Sequence, residues 1–125
     1  MDRKRAVLTL LIVLLFAAAG CSREVKKEYY PDGTLKSVLN YKKGKLEGIA
    51  LYYYQNGQLK ERVNYRRGKR ERTGTTYYES GKLKEEITYV DGKRESIKLY
   101  DENEKLISES TYKDDKLIES TRSSE

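Results

Sequence analysis

The chain has 125 residues, 26 basic and 20 acidic side chains, one cysteine, no histidine and no tryptophan. One cysteine cannot form an intramolecular disulfide, and a chain without histidine lacks Ser-His and Cys-His nucleophilic pairs and the usual zinc sites. The length suits one domain, with charge of both signs spread along it.

The amino terminus reads as an export signal. Asp2-Arg3-Lys4-Arg5 is net basic, residues 6–19 are almost wholly apolar, and Ala18-Ala19-Gly20-Cys21 closes the run. The run has signal-peptide length and falls short of the ~20 apolar residues that a membrane-spanning helix needs. It resembles a bacterial lipoprotein signal, with Ala18 where leucine is commoner. The resemblance implies cleavage after Gly20 and lipidation of Cys21, the only cysteine of the chain, hence a protein held at the cell envelope by its amino terminus. Attached acyl chains contribute about 0.8 kcal/mol per buried methylene, so two or more give stable anchoring. Residues 1–20 are expected to be the signal and 21–27 a lipidated tether. Without residues 1–20 the chain holds 23 basic and 19 acidic residues, a mild excess. The expected reading of that alternation is a solvated face, with weak attraction to anionic head groups as the sharper one. Nucleic-acid binding is not expected.

From residue 28 the chain repeats itself every 24 residues. Tyr29-Tyr30-Pro31-Asp32-Gly33-Thr34-Leu35-Lys36 returns as Tyr53-Tyr54-Gln55-Asn56-Gly57-Gln58-Leu59-Lys60 and as Tyr77-Tyr78-Glu79-Ser80-Gly81-Lys82-Leu83-Lys84. A degenerate copy spans residues 100–112, and linkers of the type Lys43-Gly44-Lys45 recur as Arg67-Gly68-Lys69, Asp91-Gly92-Lys93 and Asp114-Asp115-Lys116. Such a period marks an array whose units bury their apolar faces with their neighbours' help.

Within each unit the period is two, as in half-buried strands, and no convincing helix follows the signal. The triplets ending in Gly33, Gly57 and Gly81 fit a type I turn followed by a left-handed residue, a three-residue hairpin loop. That loop predicts Tyr53 opposite Leu59, Leu51 opposite Glu61 and Ile49 opposite Val63. Three-residue loops are also expected at Lys42-Lys43-Gly44, Arg66-Arg67-Gly68 and Val90-Asp91-Gly92, which would keep one apolar face throughout. The fourth unit is one residue short, and a two-residue loop at Glu102-Asn103 would restore Leu99 opposite Leu106. The expected fold is all-β: an elongated, curved, single-layer antiparallel meander of about four hairpins over residues 28–118, with 119–125 a disordered tail.

The Tyr-Tyr-x-x-Gly-x-Leu-Lys-Glu strands and the Gly-Lys-x-Glu-Gly around Gly48 resemble a bacterial variant of the MORN repeat (membrane occupation and recognition nexus). The resemblance implies β-hairpin repeats used for contact with protein or lipid and not for catalysis. The family's glycine survives as Gly48 but is Arg72 and Ser96 in the next two units. Related proteins are often labelled antitoxins, so a toxin-neutralising or immunity-type protein is the alternative.

Candidate sites are few. No cofactor or metal is expected, and Asp101-Glu102-Asn103-Glu104 lacks the glycine and terminal glutamate of a calcium loop. Glu61 and Glu85 could in principle do acid–base work but are expected to be solvent-reaching. Tyr29, Tyr53, Tyr77 and Tyr41, Tyr65, Tyr89, Tyr112 are expected as cross-strand ladders. Tyr30, Tyr52, Tyr54 and Tyr78 with Lys36, Lys60 and Lys84 form the candidate contact face, facing an envelope protein or anionic lipid head groups. A second copy of the chain is a further possible cover for the apolar face. A small outer-membrane barrel is disfavoured because Glu61 and Glu85 would fall on its apolar face.

Overall fold

The computed structural model describes residues 22–123. Cys21, the Gly20 cleavage site and the signal lie outside the described residues. The described part is one antiparallel sheet. In chain order the strands are β1 (Arg23–Tyr29), β2 (Leu35–Lys42), β3 (Lys45–Leu46), β4 (Gly48–Tyr53), β5 (Leu59–Arg66), β6 (Lys69–Arg70), β7 (Arg72–Tyr77), β8 (Leu83–Val90), β9 (Lys93–Tyr100), β10 (Leu106–Lys113) and β11 (Lys116–Arg122). Consecutive strands are neighbours, in the order β1-β2-β4-β5-β7-β8-β9-β10-β11, with β3 and β6 short pieces paired to β2 and β5. The meander is open, because β1 and β11 each pair on one side only. Strands β1, β4, β7, β9 and β11 occupy the first position of a hairpin and β2, β5, β8 and β10 the second, so the array is four hairpins plus one extra first strand.

Two kinds of turn alternate along the sheet, one on each long edge. On the first edge the three-residue loops form as the glycine spacing predicts. The N–H groups of Gly33, Gly57 and Gly81 donate to the carbonyls of Tyr30, Tyr54 and Tyr78 at 2.9–3.0 Å, and all three glycines are left-handed, φ 85–88°. The fourth loop keeps this form in place of the two-residue loop expected at Glu102-Asn103. Glu104 donates to Asp101 at 2.9 Å and takes the left-handed place at φ 63°, while the Asp101 carboxylate accepts from the N–H groups of Asn103 and Lys105 at 2.8 and 3.0 Å. An Asx turn thus holds a non-glycine residue where glycine is the easier choice.

The other edge departs from expectation. Lys42 pairs directly with Lys45 across Lys43 (φ 50°) and Gly44 (φ 75°), so the connection has two residues, both left-handed, the type I′ hairpin. Arg67-Gly68, Asp91-Gly92 and Asp114-Asp115 repeat it. These short loops match the right-handed twist of the strands, which three-residue type I loops also manage only with a bulge.

Bulges overturn the expected single apolar face. Tyr53 faces Leu59 as predicted, but Tyr52 faces Glu61, Leu51 faces Arg62 and Ala50 faces Val63, so Lys60 is an extra residue on β5. Lys36 and Lys84 are the extra residues in the first and third units. One extra residue moves everything beyond it to the other face. Leu51, Tyr53 and Leu59 therefore share one face, while Val63 and Tyr65 join Ala50 and Tyr52 on the other. That second face holds the small core: Ala50 and Val63 are 1% exposed and Tyr89 5%, whereas Ile49, expected on the apolar face, is 39% exposed. The aromatic cover is visible at Gly74, where an added Cβ would come within 3.3 Å of the Tyr89 ring.

The missing residue of the fourth unit also has a different place. Between β3 and β4 the chain carries two residues more than β2 does, and between β6 and β7 two more than β5, with left-handed Gly48 (φ 89°) and Arg72 (φ 60°) in the gaps. The Asn40 and Asn64 side chains cross the gaps to the carbonyls of Ile49 and Thr73 at 2.6 and 2.8 Å. In β9 only one extra residue, Glu95, remains, Thr88 stands where those asparagines stood, and the strand is continuous. The shortening is thus absorbed in the linker, not in the turn. The sheet also extends past both expected limits. β1 starts at Arg23, inside the expected tether, and residues 119–122, expected in the tail, pair with β10 because alternating Ser120 and Thr121 continue its ladder.

Candidate functional site

The predicted contact residues separate into two groups. Tyr30, Tyr54 and Tyr78 lie just beyond the first strand of each hairpin, half-buried, and their hydroxyls donate to the carbonyls of Tyr53, Tyr77 and Tyr100 in the next unit at 2.7, 2.7 and 2.8 Å. Each is a tether between repeats. Burial, then the charge of Glu79, raises the pKa of Tyr54, so its donor proton is held. The bulged Lys36, Lys60 and Lys84 sit over the same rings, with Nζ 6.0, 5.5 and 5.5 Å from the centroids. A cation over a tyrosine face at this distance contributes about 0.5–1 kcal/mol when exposed. The bulge is what brings the lysine onto the ring, and ordinary alternation gives no hint of it. In the fourth unit Asp101 and Ile107 replace the pair. The run of tethers therefore stops at three.

Tyr52 does not join these rungs. It faces Glu61 in a cluster with Tyr65, Arg70 and Tyr89. Burial, then the neighbouring Tyr65 and Glu61, push its hydroxyl up to about 12. Arg70 donates to the Tyr89 hydroxyl at 2.8 Å, lies 5.4 Å from that ring and is 3.8 Å from Glu61. Burial works against its charge, but hydrogen bonding to Tyr65 and Tyr89 outweighs that and raises its pKa. The cluster is a satisfied polar cross-link over the core. Among the described residues no buried side-chain nitrogen or oxygen lacks a hydrogen-bond partner.

Glu61 and Glu85 are not brought together. Thr76 stands between them in register, facing both, and its hydroxyl donates to Glu85 at 3.2 Å. Glu61 has Arg70 beside it. The two carboxylates are thus held apart by a strand, each with its own partner. Among the described residues no group of three or more His, Cys, Asp and Glu side chains is placed to hold a metal ion.

The sequence missed a second line of stitches and a charge gradient on the type I′ edge. The N–H groups of Gly68 and Gly92 donate back to the carbonyls of Leu46 and Arg70 in the previous unit at 2.8 and 3.0 Å. The tips Lys42-Lys43-Gly44-Lys45 and Arg66-Arg67-Gly68-Lys69 carry three cations each and no acid, whereas Val90-Asp91-Gly92-Lys93 and Lys113-Asp114-Asp115-Lys116 are balanced. Lys93 is paired with Asp114, which raises its pKa, and Arg94 with Asp115 at 3.3 Å. On the strand side of the first two basic tips lies an open groove of about 620 Å³ lined by Arg23, Lys42, Arg66 and Arg72 along with Glu47 and Glu71. The tip sequences were the signal, and it needed the turn geometry to place them side by side.

Comparison with protein families matches the MORN repeat variant at residues 25–43, 46–67, 73–91 and 97–114, more than half of the chain. The chain belongs to the MORN repeat variant family. Repeats of this family generally serve as protein- or lipid-binding modules. Each MORN match falls on one hairpin of the sheet, and the matched stretches carry the tyrosine tethers. No curated protein matches the sequence significantly. Among solved structures, a chain of the crystal structure of accessory secretory protein 1, 2 and 3 in Streptococcus pneumoniae is similar at 13% identity and a TM-score of 0.46 over 71% of this chain. This chain spans 17% of that one.

Proposed function

We propose that the protein is a lipid-anchored, non-catalytic binding module of the bacterial cell envelope, in which the MORN sheet presents a periodic surface to a protein or lipid partner. The observation that carries the reading is the assignment of four matched repeats to one open sheet whose tyrosine hydroxyls are used between repeats. Its surface recurs every hairpin instead of converging on one pocket, which suits an extended contact. The exposed lysine heads of Lys36 and Lys60 and the tyrosine edges beneath them are the repeating polar part of that contact. The anchor rests on Ala18-Ala19-Gly20-Cys21.

The test is expression of the full chain and of Cys21→Ala in a bacterium, with mass analysis of the mature amino terminus and fractionation. Acylated Cys21 and membrane recovery are expected for the parent, and neither for Cys21→Ala. A parent chain that keeps residues 1–20 or carries no acyl mass would rule out the anchor. The contact is read by substituting Lys36, Lys60 and Lys84 together with glutamine in the anchored protein. Loss of crosslinks between this face and its neighbours in the envelope is expected, with the sheet intact by circular dichroism.

A further inference from the structure

We infer that the edge formed by the first two type I′ tips rests on an anionic membrane surface, so that the sheet stands on its basic edge with the three-residue loops pointing away. The inference builds on the lipid anchor proposed above. Two independent features carry it, one of position and one of charge.

The position is fixed by the start of the described chain. The Lys43 N–H, in the first basic tip, donates to the Ser22 carbonyl at 3.4 Å, and Arg23 pairs with Lys42. Ser22 follows Cys21 directly. A lipid on Cys21 would therefore enter the bilayer one residue from this tip, at one corner of the sheet. The opposite loops are a strand length away, about 20–25 Å for the eight residues of β2.

The charge is divided between the two edges. The first two tips contribute Lys42, Lys43, Lys45, Arg66, Arg67 and Lys69. Three acids offset part of that charge and leave a clear excess of cations: Glu47 accepts the backbone N–H of Arg67 at 2.7 Å, Glu71 lies 3.6 Å from Arg66, and Asp91 of the third tip lies 3.7 Å from Lys69. Arg23 and Arg72 add to the basic side at the groove. The loops of the opposite edge hold Asp32, Glu79, Asp101, Glu102 and Glu104 against Lys82 and Lys105, with Lys36, Lys60 and Lys84 over the tyrosines that flank them, so that edge is close to balanced. An anionic surface attracts the first edge and has little net pull on the second, and the attraction falls off within a Debye length of about 8–10 Å. Only groups at the anchored edge are within that range when the tip touches the head groups. The charge is also densest in the two hairpins nearest the anchor and cancels in the two farther ones, as a surface contact reached from one corner requires.

The test uses the full chain, acylated in cells and reconstituted in vesicles of phosphatidylcholine with or without phosphatidylglycerol and a head-group spin label. A fluorophore is placed on Lys45→Cys at the basic edge or on Asn56→Cys at the opposite edge. Strong quenching at position 45 in phosphatidylglycerol vesicles is expected, reduced in 0.5 M salt by about half or more, with weak quenching at position 56 throughout. The paired change Lys43→Asn and Arg67→Asn removes two charges, and asparagine before glycine is the preferred type I′ dipeptide, so the fold is kept. It should lower the quenching at position 45 without lowering the melting temperature. Acylated protein with equal quenching at the two positions, or with quenching indifferent to phosphatidylglycerol, overturns the orientation and leaves the anchor standing. The same basic edge titrating with a soluble acidic protein but not with the vesicles also overturns it. Absence of acyl mass on Cys21 overturns the anchor and this inference together.

Discussion

Replacing Tyr54 by phenylalanine isolates the tether between the second and third repeats. The substitution keeps the ring and the cation of Lys60 above it, and removes only the oxygen that donates to Tyr77 at 2.7 Å. A hydrogen bond of this kind contributes about 0.5–1.5 kcal/mol net. For a domain near 100 residues, about 1 kcal/mol moves the melting temperature by roughly 4–8 °C. Tyr30 and Tyr78 make the same bond one unit to either side, at 2.7 and 2.8 Å. Successive tethers are two strands apart, about 10 Å, far enough for their effects to add. The triple phenylalanine variant should therefore lose about 3 kcal/mol, a large part of ordinary domain stability. Thermal and urea melts followed by circular dichroism measure the loss, with Tyr29→Phe as control because that tyrosine is 57% exposed. If the triple variant melts within about 2 °C of the parent while Tyr29→Phe behaves the same, the hydroxyls do not hold the repeats together, and the argument for a stapled array fails.

Further outcomes follow from other positions. Arg72 holds φ 60° where Gly48 holds 89°, so Arg72→Gly should stabilise by about 0.5–1 kcal/mol in a urea melt, and Gly48→Ala should destabilise by about 1 kcal/mol although no atom lies within 4 Å of its added Cβ. Gly74→Val should cost about 1–3 kcal/mol by overpacking, since the Tyr89 ring already stands 3.3 Å from the Cβ position, and the change should register in near-ultraviolet circular dichroism. Tyr52 has a folded pKa above its unfolded value, so the stability it contributes is present below pH 10 and is lost as pH rises from 10.0 towards about 12. Alkaline melts should show Tyr52→Phe to be less sensitive than the parent in that window, and equal sensitivity would count against the cluster.

The glycine third in each triplet was enough to read the loops at Gly33, Gly57 and Gly81, because a left-handed residue is what glycine supplies most cheaply. Lys43, Arg67 and Asp91 carry no such mark, and their left-handed conformation comes from strand twist acting on a two-residue connection. The bulged lysines were equally silent. Lys60 looks like any outward residue of an alternating strand, and only its ring partner across the hairpin explains why β5 takes an extra residue there. That slip is why the apolar face inferred from odd positions broke into two. The ladder of Tyr41, Tyr65 and Tyr89 was foreseeable from spacing, but its cover over Gly74 depends on a register the sequence did not settle. The predicted contact face was legible as a set of residues but not in its separate roles, since Tyr30, Tyr54 and Tyr78 tether one repeat to the next while Tyr52 pairs with Glu61 beyond the bulge.

The half-integral number of hairpins has a consequence for assembly. Both free margins of the sheet, β1 and β11, are first strands of a hairpin, while each of the eight internal junctions joins a first strand to a second. Laying one copy after another would set first strand against first strand, a seam with neither the tyrosine tether nor the glycine stitch. Continuing the repeat from one copy into the next would thus lack both contacts that join the repeats among the described residues.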